Sequence, residues 1–159
     1  MIFVTVGSQK FQFNRLIHKV DDLVASGSIQ EEVFIQCGES DYLPKYCDYA
    51  KYLNHERFAQ ISYQSDLFIT HGGTGAIIGA VKKRKKVIAV PRLAKFGEHV
   101  DNHQLQILHQ FERMNLILPC YNLDNLDNCI SAIRHLKFNR YESNTQVIID
   151  SITDYIDKY

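Results

Sequence analysis

Apolar positions along this chain fall into short runs of strand length, separated by stretches with helical spacing. Residues 2–6, IFVTV, form a continuous apolar run, the pattern of a strand covered on both faces. Gly7, Ser8 and Gln9 close it, and residues 11–25 then place Phe13, Leu16, Ile17, Val20, Leu23 and Val24 on one helical face. Ser26-Gly27-Ser28 ends that helix. A second strand is expected over residues 32–36, a short third over 48–53, and a helix over 56–64. Residues 66–70 read as a buried strand that stops at His71-Gly72-Gly73-Thr74-Gly75. The helix after it carries Ala76, Ile77, Ile78, Ala80 and Val81, too apolar for a surface helix and suited to one packed on a sheet. Residues 86–90 make a strand ended by Pro91, 92–96 a loop, 98–113 a helix, 116–118 a short strand and 123–136 a further helix. Residues 143–157 give a last amphipathic helix through Val147, Ile148, Ile152, Tyr155 and Ile156, its apolar face available to its own sheet or to a partner. Strands alternating with helices imply an α/β fold, a Rossmann-like open parallel sheet with helices on both faces. No repeat or linker interrupts residues 1–159, so they read as one domain.

Two polar clusters punctuate this pattern. The glycine turn 72–75 lets main-chain N–H groups approach a ligand closely, and the following helix points its positive end at the same spot, an arrangement suited to phosphate. The plainer alternative is a strand-to-helix turn that uses glycine for geometry alone. The second cluster, Gly97-Glu98-His99-Val100-Asp101-Asn102-His103-Gln104, opens the next helix after the next strand. Successive parallel strands place their following loops at one carboxyl edge, so both clusters are expected to face one crevice. On a helix starting at residue 98, Glu98 and Asn102 stack four apart, as do His99 and His103. Glu98, Asp101, Asn102 and Gln104 are side chains of the kind that hold sugar or ribose hydroxyls. Gly7, Ser8 and Gln9 form a second candidate phosphate turn, and Tyr52-Leu53-Asn54-His55, at the same edge, offers apolar side chains and backbone to a flat ring.

Composition narrows the chemistry. Eighteen Lys+Arg balance eighteen Asp+Glu, which argues against bulk electrostatic binding to nucleic acid. No apolar run approaches the roughly 20 residues that span a bilayer, and the N-terminus reads as a first strand and not a signal peptide. A cytoplasmic protein is expected. Cys37, Cys47, Cys120 and Cys129 lack zinc-site spacing and read as reduced small hydrophobes. Neither turn matches GxGxxG and Walker A is absent, which disfavours an NAD enzyme or a P-loop NTPase. His99-x-x-x-His103 lacks the HExxH order and an obvious third ligand, and no Asp-x-Asp pair suggests a metal on a diphosphate. No metal or other cofactor is expected. The run Lys82-Lys83-Arg84-Lys85-Lys86 sits at the far end of its helix from the glycine turn, where cations offset the helix dipole or meet anionic headgroups.

With these residues in view, the chain resembles the glycosyltransferase family 28 C-terminal domain, the donor-binding half of a GT-B glycosyltransferase. The likeness is carried by FVTVG with Ser8-Gln9, by the turn THGGTG, by the strand ending in Val90-Pro91, and above all by GEHVDNHQLQ. More closely the chain is similar to the small catalytic subunits of split UDP-sugar transferases, in the dolichol pathway and in bacterial capsule and exopolysaccharide synthesis. That resemblance implies transfer of a galactose- or GlcNAc-type sugar from a UDP-sugar to a polyprenyl-diphosphate-linked saccharide. It also implies a membrane-anchored partner resembling the N-terminal GT-B half, which would hold the chain at the inner face of the membrane. By the same resemblance Ser8 and residues 72–75 would meet the diphosphate, residues 52–55 would border the uracil, and residues 98–104 would read the donor sugar. Gly79 stands where relatives often place a carboxylate or amide near the ribose, and His71 where the peptidoglycan enzyme has another residue.

Glu98 and His99 are the local candidates for a catalytic base, with the partner as the other possible source. A non-catalytic accessory that enhances a partner transferase is the competing expectation. A UDP-sugar epimerase on the same fold is disfavoured by length.

Overall fold

The structure, a computed structural model, describes residues 1–143 and 153. The helix expected over residues 143–157 falls almost wholly outside them. Six strands form one sheet: β1 (Ile2–Thr5), β2 (Val33–Gln36), β3 (Asp48–Ala50), β4 (Leu67–His71), β5 (Lys86–Val90) and β6 (Leu118–Pro119). Their order is β3-β2-β1-β4-β5-β6 and every pair is parallel. Among the described residues five α-helices of a full turn or more cover it: α1 (Asn14–Ala25), α2 (His55–Gln64), α3 (Thr74–Lys82), α4 (His103–Arg113) and α5 (Leu126–Ile133). The Rossmann-like α/β class expected from the sequence is the fold observed.

Alternation along β1 sorts the two cores. Ile2 and Val4 pack with Leu16, Ile17 and Val20 of α1 and Ile130 and Ile133 of α5. Phe3 points the other way, among Ile61 of α2, Ile77 and Val81 of α3, and Leu108 and Phe111 of α4. Its ring meets Phe58 and Phe68 edge-on, both at 5.3 Å.

Several boundaries differ from the sequence pattern, and three of them bear on the site. Helix α1 begins at Asn14 and not at 11, since the Phe13 N–H donates to Ser40 Oγ (2.9 Å) and that of Asn14 to Gln12 Oε1 (2.8 Å). Phe13 is apolar because it plugs the core from the cap. Helix α4 begins at His103 and not at 98. A 3-10 turn over Ala94–Phe96 ends at Gly97 in the left-handed region (φ 67°), and residues 98–102 then run irregularly. Glu98 and Asn102, and likewise His99 and His103, are therefore not stacked on one helix. Strand β3 is three residues long, and Lys51–Leu53 leave the sheet, with the Tyr52 hydroxyl bonded to Glu39.

Candidate functional site

Strand order reverses between β1 and β4, which places the turns after both strands beside one another at the carboxyl edge, where open parallel sheets bind ligands. A crevice of about 550 Å³ opens there. Its walls are Gly7, Ser8 and Gln9 after β1, His71 and Gly73–Ala76 after β4, and His99, His103 and Gln104 from the segment after β5. The two polar clusters thus share one cavity. No aspartate or glutamate is among its lining residues. Helix α3 starts in it, and its Thr74, Gly75 and Ala76 N–H groups have no acceptor among the described residues. Unpaired N–H groups at the positive end of a nine-residue helix favour an anion.

His71 organises the turn. Its Nδ1 accepts from the Gly73 N–H (3.0 Å), which leaves the proton of the neutral ring on Nε2. Burial pulls its pKa down to about 4, with Arg92 and His99 adding to the effect, so the ring is neutral near pH 7. The ring lies between two glycines. A Cβ on Gly7 (φ 78°) would sit 2.6 Å from Nε2, and one on Gly73 would overlap the ring's Cε1. A Cβ on Gly72 would meet Leu108 Cδ1 at 2.6 Å. Gly72 is buried and its N–H is taken by Gln104, so close packing explains Gly7, Gly72 and Gly73. Gly75 and Gly79 are different. A Cβ there meets nothing within 4 Å, and both line the crevice.

Beneath the crevice lies a buried network. Glu98, expected to project from a helix start, is 1% exposed and does not line the cavity. Its carboxylate accepts from Arg15 Nε (2.5 Å), Arg15 Nη2 (2.9 Å) and the Leu93 N–H (2.9 Å). Arg92, also 1% exposed, donates to the carbonyls of Val6 (2.6 Å), Phe11 (3.1 Å), Gln12 (2.8 Å) and Glu98 (3.2 Å), tying the segment after β1 to the one after β5. Burial lowers its pKa to about 10, offset in part by Glu98, and it remains charged. Gln104 joins the remaining turns: its Oε1 accepts from the Gly72 N–H (2.9 Å) and the Arg92 N–H (3.0 Å). Its Nε2 is left to the crevice.

At the mouth, Asp101 draws together two imidazoles. It bonds His103 Nδ1, and its Oδ1 lies 3.4 Å from His99 Nδ1. The ligand atoms of His99, Asp101 and His103 all lie within 4.8 Å of one another, so these three could hold a metal ion. Spacing alone, judged against a helix, missed this third ligand. His99 is mostly buried against Phe11 and lines the crevice.

Other expected residues lie elsewhere. Asn54 caps α2 by accepting from the Arg57 N–H (2.8 Å), and His55 is the first, exposed residue of that helix. Neither lines the crevice; Phe58, one turn on, does. Asn102 Oδ1 accepts from the Ala94 N–H (2.9 Å) and fixes the loop. The sequence reading missed Arg15, Arg92, Gln36, Phe58 and Lys83. Lys83, alone of the basic run, lines the crevice, its Nζ 5.7 Å from the centre of the Phe58 ring.

Known proteins share this fold and family. The model of the glycosyltransferase family 28 C-terminal domain matches residues 1–159. The UDP-N-acetylglucosamine transferase subunit ALG13 of Candida albicans is 29% identical over 85 residues, covering 54% of this chain and 27% of that protein. The chain thus spans about a quarter of the length of this curated relative. Among solved structures, the glycotransferase of kitacinnamycin superposes with a TM-score of 0.60 at 15% identity, over 83% of this chain and 34% of that one. The solution structure of ALG13 gives 0.58 at 17% identity, over 96% and 94%. MurG of Acinetobacter baumannii gives 0.55 at 16% identity, over 86% and 41%. At these identities the superpositions establish the shared fold.

Proposed function

This chain belongs to the glycosyltransferase family 28 C-terminal domain family, and on that premise we propose that it is the catalytic, donor-binding subunit of a two-component glycosyltransferase. It takes a hexose, of galactose or GlcNAc type, from a UDP-sugar and passes it to a polyprenyl-diphosphate-linked saccharide in capsule or exopolysaccharide synthesis. The observation that supports this most is the crevice at the strand-order reversal, with the unpaired N–H groups of α3 and no lining carboxylate. A diphosphate over Gly73–Ala76 is neutralised there by the helix end, without a cation. Gln104 Nε2 and His103 face the donor sugar, and the nucleoside runs along the bare face of Gly75 and Gly79 toward Phe58.

In transfer, the acceptor hydroxyl oxygen attacks the anomeric carbon. The bond from that carbon to the β-phosphate oxygen breaks, and its electron pair leaves with UDP. The hydroxyl proton goes to a base. His99, beside Asp101 and in the crevice, replaces Glu98 as the local candidate, because the Glu98 carboxylate is committed to Arg15 and Leu93. A membrane-anchored subunit resembling the N-terminal GT-B half supplies the acceptor side and holds the chain at the inner face of the membrane. Among the described residues no helix is long and apolar enough to cross a bilayer.

Calorimetric titration of UDP into the purified chain tests the donor site. Micromolar binding that persists in EDTA and disappears in Gly73→Leu is expected. No heat with UDP would leave only the reading of an accessory that enhances a partner enzyme. Transfer from a radiolabelled UDP-sugar panel by the chain and its partner together then identifies the donor.

A further inference from the structure

A second cavity, of about 740 Å³, lies at the opposite edge of the sheet, between the end of α3, the start of β5 and the segment that follows α5. Seven of the chain's 18 Lys+Arg line it, with no aspartate or glutamate. For a chain whose formal charges cancel, this concentrates positive charge at one pole.

Three of the seven have structural employment. Lys85 Nζ donates to the carbonyls of Tyr63 (3.0 Å) and Ser65 (2.6 Å), Lys86 Nζ to those of Ile133 (2.9 Å) and Arg134 (2.6 Å), and Arg134 pairs with Glu31. Such bonds offset the negative helix ends gathered there. The other four are not used in this way. Lys82 stands over the Tyr141 ring (5.5 Å), and the side chains of Arg84, Lys137 and Arg140 make no hydrogen bond or ion pair among the described residues.

Arg84 carries a further indication. It occupies the left-handed position (φ 57°) that closes α3: its N–H donates to the Val81 carbonyl (2.9 Å), and the Lys85 N–H to that of Ala80 (3.2 Å). Glycine holds that position at the least conformational cost. Arginine here holds that backbone conformation at a cost, with an exposed guanidinium that makes no hydrogen bond or ion pair among the described residues and borders a cationic groove.

We propose that this groove is a second anion site, separate from the crevice, for a ligand bearing clustered phosphate charge. Arg84 and Arg140 grip phosphate oxygens, Lys82 and Lys137 add charge, and Phe138 and Tyr141 receive the ligand's apolar or flat part. The phosphate comes from a soluble oligophosphate compound or from an anionic lipid headgroup. The site stands whether or not the crevice takes UDP.

Two arms on the full chain test it at about 50 mM salt, where screening is weak. In one, tripolyphosphate is titrated calorimetrically with saturating UDP present to occupy the crevice; in the other, the chain is sedimented with phosphatidylcholine vesicles with and without phosphatidylglycerol. Binding in either arm is expected to weaken at least tenfold in Arg84→Gly/Arg140→Gln and to be unchanged in Lys10→Gln/Lys95→Gln, whose lysines lie outside the groove. Arg84→Gly alone relieves the left-handed residue, so it should keep or raise Tm while weakening binding. Response to tripolyphosphate identifies a soluble ligand and response to the vesicles a headgroup. No binding in both arms, or binding that the groove variants leave intact, overturns the proposal.

Discussion

Glu98→Gln separates a structural carboxylate from a reacting one. The side chain is 1% exposed and accepts three hydrogen bonds, two from the Arg15 guanidinium and one from the Leu93 N–H. Glutamine keeps the shape and one acceptor oxygen, removes the charge, and turns an NH₂ toward donors. Breaking a buried, hydrogen-bonded ion pair in this way costs about 3 kcal/mol or more, because the partner charge is left uncompensated. For a chain of this length, with a shift of roughly 2–4 °C per kcal/mol, Tm should fall by about 9 °C. Thermal and urea unfolding of wild type and variant measure it. An Arg15→Ala, Glu98→Ala cycle should give a coupling of about 2 kcal/mol for contacting residues. A carboxylate reacting in the crevice would behave in the opposite way, with Tm unchanged and transfer abolished. A Tm shift under about 2 °C would refute the clamp.

Three further outcomes follow from the geometry. Gly79→Ala should gain about 1 kcal/mol of helix stability, since a Cβ there meets nothing within 4 Å, while its methyl group in the crevice weakens UDP binding in the same calorimetric assay. His71 has a folded pKa near 4 against about 6.5 unfolded, so the unfolded chain binds the proton first as pH falls. Its contribution is whole above pH 6.5 and declines toward pH 4 by up to about 3 kcal/mol, a slope that His71→Gln should flatten in urea titrations. Asn54→Ala should lower stability by about 1 kcal/mol through loss of the α2 cap and leave UDP affinity unchanged.

What the sequence made legible was local. The apolar runs gave all six strands within a few residues, and the glycine turn with the segment after β5 pointed to one edge, because parallel connectivity puts both there. Side-chain positions were less legible where a long-range partner sets the conformation. Glu98 with Asn102, and His99 with His103, fit a helical i, i+4 pattern, but the arithmetic holds only inside a helix. The left-handed Gly97 and the irregular residues 98–102 keep the helix from starting at 98, and Arg15, 83 positions earlier, takes up the Glu98 carboxylate. Arg92 reads as an ordinary loop cation after Pro91, and nothing in its neighbours announces four carbonyls, three of them from the segment after β1. Residues 52–55 were plausible for a flat ring by position, yet capping commits Asn54 to α2 and the helix direction turns Phe58 to the cavity in their place.

The buried network also bears on what the crevice can hold. Arg15 and Arg92 bring two positive charges beneath it and Glu98 one negative, which leaves a net single positive charge under the floor of the cavity. Arg92 bonds four carbonyls through Nη1 and Nη2, and these neutral acceptors do not cancel its charge. The same excess helps hold His71 neutral, since Arg92 is the second cause of its lowered pKa after burial. A neutral His71 with its proton on Nε2 adds a donor to the cavity without adding a charge that would need burial. The unpaired N–H groups of α3 add to this positive field, and Asp101, whose carboxylate stands at the mouth against His99 and His103, is not in the lining. A neutral sugar alone would leave that field uncompensated, whereas a sugar carried on a diphosphate supplies the missing negative charge at the helix end. On the proposed reading of the crevice as a donor site, the charge beneath it favours the diphosphate of a nucleotide-sugar over a neutral sugar.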